Sequence, residues 1–257
     1  MNELTIESLL RKRGAWLKGR GGDHALAHGR AGATRKIADN YATFEFLRDA
    51  VLLHGEDRLD RLNGRHGIAE LMEALARHDV LTLGVGGPVV SHVHGKRFLS
   101  GGWLEELAFL AAVEAGADEV LYSQNIGWSV SGYEGENEID LIVRRGGVLG
   151  FVSCKALKSM IDIEDRKHRN RLMDAIHEAD NLGDHFGRPG ERVAVLVTTD
   201  LFDEMRGSPR YKALMGKAAV LDVRIIALEE LGWDRLVHAI AELMVTHAGD
   251  GDLHEGH

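Results

Sequence analysis

Val193-Ala194-Val195-Leu196-Val197 is a short, unbroken apolar run rich in β-branched residues. A strand of this kind is buried on both faces, and that burial requires helices on each side of its sheet. The run therefore commits its surroundings to an α/β arrangement, and the flanking sequence agrees. Residues 103–115 carry Leu104, Leu107, Ala108, Ala111 and Ala112 on one helical stripe. Strand-like stretches follow over 119–126, 138–145 and 148–155, then a helix over 170–186 and the strand 192–198. A helix over 208–217, a strand over 223–227 and a last helix over 228–244 complete the order. The stretch after residue 247 has no apolar face and reads as a frayed tail.

Residues 1–97 read differently. Glycines at 14, 19, 21, 22, 29 and 32 predict only short or frayed helix in the first third of that region. Helical spacing is clear over 37–53 and 68–80, where Ile68, Leu71, Met72 and Leu75 share a face. Leu81-Thr82-Leu83, the turn Gly84-Val85-Gly86-Gly87-Pro88 and Val89-Val90-Ser91-His92-Val93 come next. Helix, strand, glycine turn, strand is the order of a winged-helix unit, some of which bind DNA while others only pack or dimerise. The division expected is thus a helical, winged-helix-like region over 1–97, an α/β domain over 98–247 and a tail over 248–257.

Hydrophobic residues make up 44% and charged residues 28%, the balance of a globular chain with a full core. No run approaches the roughly 18 consecutive apolar residues of a membrane helix, and Met1-Asn2-Glu3-Leu4-Thr5 lacks an export signal pattern. A single cysteine, Cys154, rules out an internal disulfide framework and suits a reducing cytoplasm. The net charge of −9 argues against a protein that coats nucleic acid, yet leaves room for an enzyme acting on it. Positive charge is clustered in Arg11-Lys12-Arg13, Arg35-Lys36 and Arg166-Lys167-His168-Arg169-Asn170-Arg171. Each run reads most simply as a solvated face; Arg166, Lys167, Arg169 and Arg171 are the candidates for phosphate contact.

Chemistry concentrates in two strands. Asn137-Glu138-Ile139-Asp140-Leu141-Ile142-Val143 carries acids two apart, which strand geometry sends to one face while Ile139 and Leu141 face the other. After the turn Gly146-Gly147, Val148-Leu149-Gly150-Phe151-Val152-Ser153-Cys154-Lys155 does the same with Ser153 and Lys155. An antiparallel hairpin would bring Asp140 near Ser153 and Lys155, a costly set of polar groups unless they line a site. Trp103 reads as a core anchor, Glu106 as a surface acid favouring the helix dipole, and Cys154 as packing that faces away from Lys155. On the following helix, His177 and Glu178 are the residues that could approach the site.

An acid, a hairpin and a lysine at a strand end resemble the PD-(D/E)xK nuclease superfamily. Phe98-Leu99-Ser100-Gly101-Gly102-Trp103-Leu104-Glu105-Glu106, Asn137-Glu138-Ile139-Asp140 and Phe151-Val152-Ser153-Cys154-Lys155 are similar, in that order, to one subgroup. It comprises the C-terminal nuclease domains of CRISPR-associated effectors that carry a CARF domain and respond to cyclic oligoadenylate. The resemblance spans roughly residues 65–245 and implies a restriction-endonuclease-like mixed sheet flanked by helices. It implies a phosphodiesterase that cuts DNA or RNA with Mg²⁺ or Mn²⁺, a hard cation that takes oxygen ligands. Carried over by position, Asp140 is the principal metal ligand, Lys155 the catalytic lysine, Glu105 a further carboxylate and the Cys154 carbonyl a backbone ligand. The family usually has an acid where this chain has Ser153; Glu138 is the natural replacement.

The CARF-linked relatives are dimers, which implies a homodimer here. Residues 1–60 are too few and too glycine-rich for a Rossmann-like sensor, so activation by cyclic nucleotide does not carry over. A stand-alone defence nuclease, control by a separate partner and a fragment of a longer protein all remain open. So do two other classes: a nucleic-acid-binding module of the same fold that has lost catalysis, and a winged-helix regulator whose C-terminal domain only dimerises.

Overall fold

A computed structural model describes residues 4–53, 62, 64–84 and 87–245. The tail expected from residue 248, and Val85 and Gly86 of the glycine turn, lie outside the described residues. No helix of the described residues is long and apolar enough to cross a membrane.

The centre is a six-stranded mixed sheet in the order β1-β4-β5-β6-β7-β10. Its strands are β1 (Ala15–Lys18), β4 (Glu119–Val130), β5 (Tyr133–Arg145), β6 (Val148–Lys155), β7 (Arg192–Val197) and β10 (Val223–Ile226), while the short β8 (Phe202–Asp203) and β9 (Ser208–Pro209) pair with each other. β1, β4, β5 and β6 pair antiparallel, whereas β6, β7 and β10 run parallel. The unbroken run of β7 is buried along Val193–Val197, as its composition demands.

Helices cover both faces. On one side α7 (Trp103–Glu114) and α10 (Trp233–Leu243) pack with α2 (His24–Gly29), α3 (Ala31–Asp39), α4 (Tyr41–Leu53) and α5 (Ile68–Ala76). Their core joins Ile37, Phe44, Leu75, Trp103, Leu107 and Ile240 to Leu141, Val152 and Leu196 of the sheet. On the other side α1 (Ile6–Arg11), α8 (Arg166–Phe186) and α9 (Lys212–Val220) pack Leu10, Ile176 and Leu214 on Ile142, Phe151 and Val195. Trp103 is fully buried, the anchor its sequence position suggested.

Two elements from the N-terminal stretch join this core. β1 is the edge strand of the main sheet, registered Ala15↔Trp128 to Lys18↔Asn125, and α1 contributes Ile6, Leu9 and Leu10 to the core beneath α8. Two of the glycines there, Gly21 and Gly22, serve close approach: a Cβ on Gly22 would sit 2.1 Å from the Tyr122 ring. After α5, β2 (Leu81–Gly84) and β3 (Gly87–Val90) pair antiparallel, with Leu71, Leu75 and Leu81 in the same core as Trp103. A short helix, α6 (Val93–Arg97), and a wide helical turn over Phe98–Gly102 then lead into α7.

Two charged side chains read as surface groups are buried. Glu106, on the inner face of α7, is 5% exposed and pairs through two oxygens with Arg30, itself 7% exposed. Burial raises the Glu106 carboxyl above the ordinary range, and the Arg30 guanidinium opposes this. Arg13, from the first basic run, donates to both carboxylate oxygens of Glu191 at 2.6 and 2.8 Å. Removing one partner of such a pair strands the other without water. Glu106→Ala is expected to cost about 3–5 kcal/mol in urea unfolding, whereas a joint replacement of Arg30 and Glu106 by apolar residues of similar size recovers most of that loss.

Candidate active site

The site forms where two strands part. The β5–β6 ladder runs from Arg145↔Val148 to Leu141↔Val152 and stops. Beyond that point β5 pairs only with β4, while β6 continues beside β7 through Lys155↔Val197. Asp140 is the first residue past the divergence. The Cys154 N–H, left without a strand partner on that side, donates to Asp140 Oδ2 at 2.6 Å, and Ser153 Oγ stands 3.4 Å from the same oxygen. Thus a missing ladder bond is replaced by a carboxylate, which fixes Asp140 against the end of β6.

The other neighbour of β5 is also interrupted at this level. The β4–β5 pairing includes Tyr122↔Leu141 and Gln124↔Ile139 but skips Ser123 opposite Asp140, and Ser123 has a φ of 47°. A non-glycine residue with positive φ inside a strand marks a local distortion that re-aims side chains. Its effect shows in the packing. Leu141 lies in the core beneath α7, whereas Ile139 lies in the core beneath α8. The simple alternation that put Ile139 and Leu141 on one face is therefore corrected. Glu138 still borders the same groove as Asp140, but its carboxylate is 2.8 Å from Arg97.

The groove has a volume of about 440 Å³. Asp140, Ser153 and Lys155 line it from the sheet, Glu138 from the β4–β5 arm, and Glu178 from α8. Lys155 Nζ is 2.6 Å from Glu178 Oε2. Asp140 and Lys155 thus face one groove on the α8 side of the sheet. Glu105, in the first turn of α7, approaches from the opposite layer and accepts a hydrogen bond from Ser123 Oγ.

Charge in this corner is tightly linked. Burial raises the Asp140 carboxyl; the Cys154 N–H and Lys155 oppose the rise, and the charges of Glu138 and Glu178 reinforce it. Burial also raises Glu105; Ser123 and Arg97 oppose, while Asp140 and Glu138 push further upward. Burial alone would lower the Lys155 ammonium, but its bond to Glu178 and the charge of Asp140 hold it above the ordinary lysine value. The Cys154 thiol is pushed well up by burial against the α7-side core, as befits packing rather than nucleophilic chemistry.

Among the described residues, no three His, Cys, Asp or Glu side chains converge as a ready-made cation cage. Each acid instead has its own partner: Glu105 with Ser123, Glu138 with Arg97, Asp140 with Cys154, and Glu178 with Lys155. The donor set nonetheless suits a hard divalent cation. It is all oxygen, and Glu105 and Asp140 are acids that mutual repulsion and burial make costly to ionise without added positive charge.

The basic run divides. α8 begins at Arg166 and is capped by Asp165, four residues earlier than its apolar pattern suggested. At about 100° per residue, Lys167 and Arg171 stand on the flank that carries Glu178, whereas Arg169 stands on the opposite flank with Arg166 near it. His168, inside the run, is buried 3.2 Å from Thr199. Glu178 was within reach of sequence reasoning, as one polar position on the helix after the hairpin. Ser123, Trp128, Asn181 and His185, which also border the site or groove, carried no signal that set them apart.

Comparison with known proteins places this geometry in a fold. No family model matches the chain, and no curated protein matches it by sequence. Solved structures that resemble it over 95% of its length include protein VC1899 from Vibrio cholerae, with a TM-score of 0.66 and 17% identity, and Can2 from Sulfobacillus thermosulfidooxidans, with 0.58 and 14%. The Can2 structure is a complex with cyclic tetra-adenylate. The chain spans 62% of the length of each. At such identities the likeness is one of fold: the mixed sheet flanked by helices described above is shared with VC1899 and Can2.

Proposed function

We propose that the chain is a metal-dependent nuclease of the PD-(D/E)xK type that hydrolyses phosphodiester bonds of DNA or RNA in defence against foreign nucleic acid. The observation that carries the reading is the convergence of Asp140 and Lys155 at the parting of β5 and β6. The motif resemblance to CARF-linked effectors and the fold shared with a protein captured on cyclic tetra-adenylate support it from separate directions.

In this reading Asp140 and Glu105 hold Mg²⁺ or Mn²⁺ with the backbone carbonyl of Cys154, and Glu138 supplies the charge that Ser153 lacks. The bound cation supplies Lewis acidity and offsets phosphate charge. The chain's own groups do the rest. Lys155, kept as an ammonium by its acidic neighbours, is the group assigned to stabilise charge developing on a phosphoryl oxygen. Glu178 holds that ammonium in place until phosphate displaces it. Lys167 and Arg171, on the same flank of α8, guide the backbone of the substrate, and a homodimer in the cytoplasm is the working assembly.

The test is cleavage of single- and double-stranded DNA and RNA with Mn²⁺ or Mg²⁺. Cutting that EDTA stops supports the reading. Ser153 favours a second one, a nucleic-acid-binding module that has lost catalysis, for which substrates shift on a gel but stay intact under every metal. Ser153→Glu separates charge deficiency from design. Ser153 is 4% exposed beside Asp140, so a carboxylate there repels Asp140. The variant is expected to melt below wild type in EDTA and to show the larger upward shift with Mn²⁺; equal shifts would assign the missing charge to Glu138.

A further inference from the structure

The groove has a second end that the hydrolytic chemistry does not use. Away from Asp140 and Lys155 it is lined by Trp128, Asn137, Asn181, Leu182, His185 and Phe186. Trp128 lies on the β4–β5 arm and is held in one orientation by two devices. Its Nε1 donates to Asn137 Oδ1 at 2.7 Å. Its ring also rests against the backbone of the cross-strand partner Gly135, where a Cβ would come within 2.3 Å of the ring. Across the groove, the exposed His185 ring stands with its centroid 6.3 Å from that of Trp128, at an interplanar angle of 50°.

We propose that Trp128 and His185 form a nucleobase-stacking subsite that grips the base next to the phosphate at Asp140 and Lys155. Two stacking distances of about 3.4 Å, the axial rise per nucleotide of one strand, need slightly more than the observed 6.3 Å, so His185 must turn aside and flatten its 50° tilt to admit a base. His185 is exposed on the groove-side flank of α8, with Nδ1 2.8 Å from the Asn181 carbonyl oxygen, and a turn of its side chain moves no core residue. The π-faces accept any base, so the subsite confers affinity and placement rather than sequence preference. The amides of Asn137 and Asn181 border the same end and supply polar edges to the base. This inference rests on the nuclease reading for its phosphate, but the stacking itself is testable without cleavage.

The experiment is a binding cycle on the Lys155→Ala background, by fluorescence anisotropy of a labelled single-stranded 12-mer and a series with one abasic position moved along it. Stacking of one base is worth about 1–3 kcal/mol, which corresponds to about 5–150-fold in Kd. One abasic position is expected to weaken binding by about 10-fold, and His185→Ala or Trp128→Ala to remove that sensitivity while weakening binding of the intact strand to the same degree. His185→Ala is an exposed substitution that leaves the core intact, so the cycle stands even if Trp128→Ala fails to fold. Abasic sensitivity that survives His185→Ala, or no sensitive position at all, overturns the subsite. If the wild type cuts nothing yet the cycle shows coupling, the subsite holds and the nuclease reading falls. Cleavage without coupling has the opposite meaning.

Discussion

Asp140→Asn is expected to abolish cleavage while leaving the protein as stable as wild type or more so. The substitution keeps the shape and still accepts the Cys154 N–H, so the end of β6 stays in place. It removes the charge on which the proposed cation depends, and the loss is expected to reach 10²–10³-fold or more, on the order of the effect of deleting a key electrostatic group. The stability effect has a definite sign. A carboxyl whose folded pKa is raised binds its proton more tightly in the native state, so its ionised form costs stability above that pKa. Burial raises Asp140; hence wild type gains stability as pH falls from neutral through the raised value toward the ordinary carboxylate range, and Asp140→Asn lacks that gain. Metal reverses the order. At a hundred times its Kd, Mn²⁺ stabilises a native site by about 2.7 kcal/mol, so melting curves with Mn²⁺ should place wild type above the variant.

Lys155→Ala is expected to have a comparable effect on rate and almost none on folding. Its partner Glu178 has a side chain 55% exposed and returns to water when the ammonium is gone. Such half-solvated pairs are worth about 0–1 kcal/mol, so denaturant midpoints barely move. The rate falls by about 10²–10³-fold if the ammonium faces the phosphate. Because the folded pKa of Lys155 is raised rather than lowered, the stability its charge contributes is complete below the ordinary lysine value and is lost only above it. Between pH 6 and 9 the ammonium does not titrate, and no basic limb from Lys155 should appear in the rate profile. Lys155→Arg is not an equivalent repair, since a planar guanidinium cannot reproduce a point charge on a flexible stem.

What sequence reasoning could reach, and what it could not, follows from the range of the interactions. The Gly146-Gly147 turn, the β5–β6 hairpin and the buried run of β7 are local patterns, and each appears where expected. From the hairpin follows the approach of Asp140 to Ser153, because register is fixed by the turn. β1 was not legible: Ala15-Trp16-Leu17-Lys18 is four residues amid glycines, and its partner lies more than a hundred residues away. The burial of Glu106 was equally hidden, since Arg30 alone distinguishes it from the solvated acid that a first helical turn favours. The outer half of the β4–β5 arm, with Glu134, Glu136 and Asn137 mostly in solvent, has no apolar alternation to announce a strand. Finally, the break in alternation at Ser123 arises from one backbone angle, which composition does not encode.

The most direct test is a crystal of the wild-type protein soaked in Mn²⁺ and measured at the manganese absorption edge. A single anomalous peak bonded to the Asp140 carboxylate and to Glu105, with the Lys155 ammonium facing the same ion across the groove, is the expected result. Full occupancy elsewhere with nothing at Asp140, or a peak there from which Lys155 points away, would contradict the account.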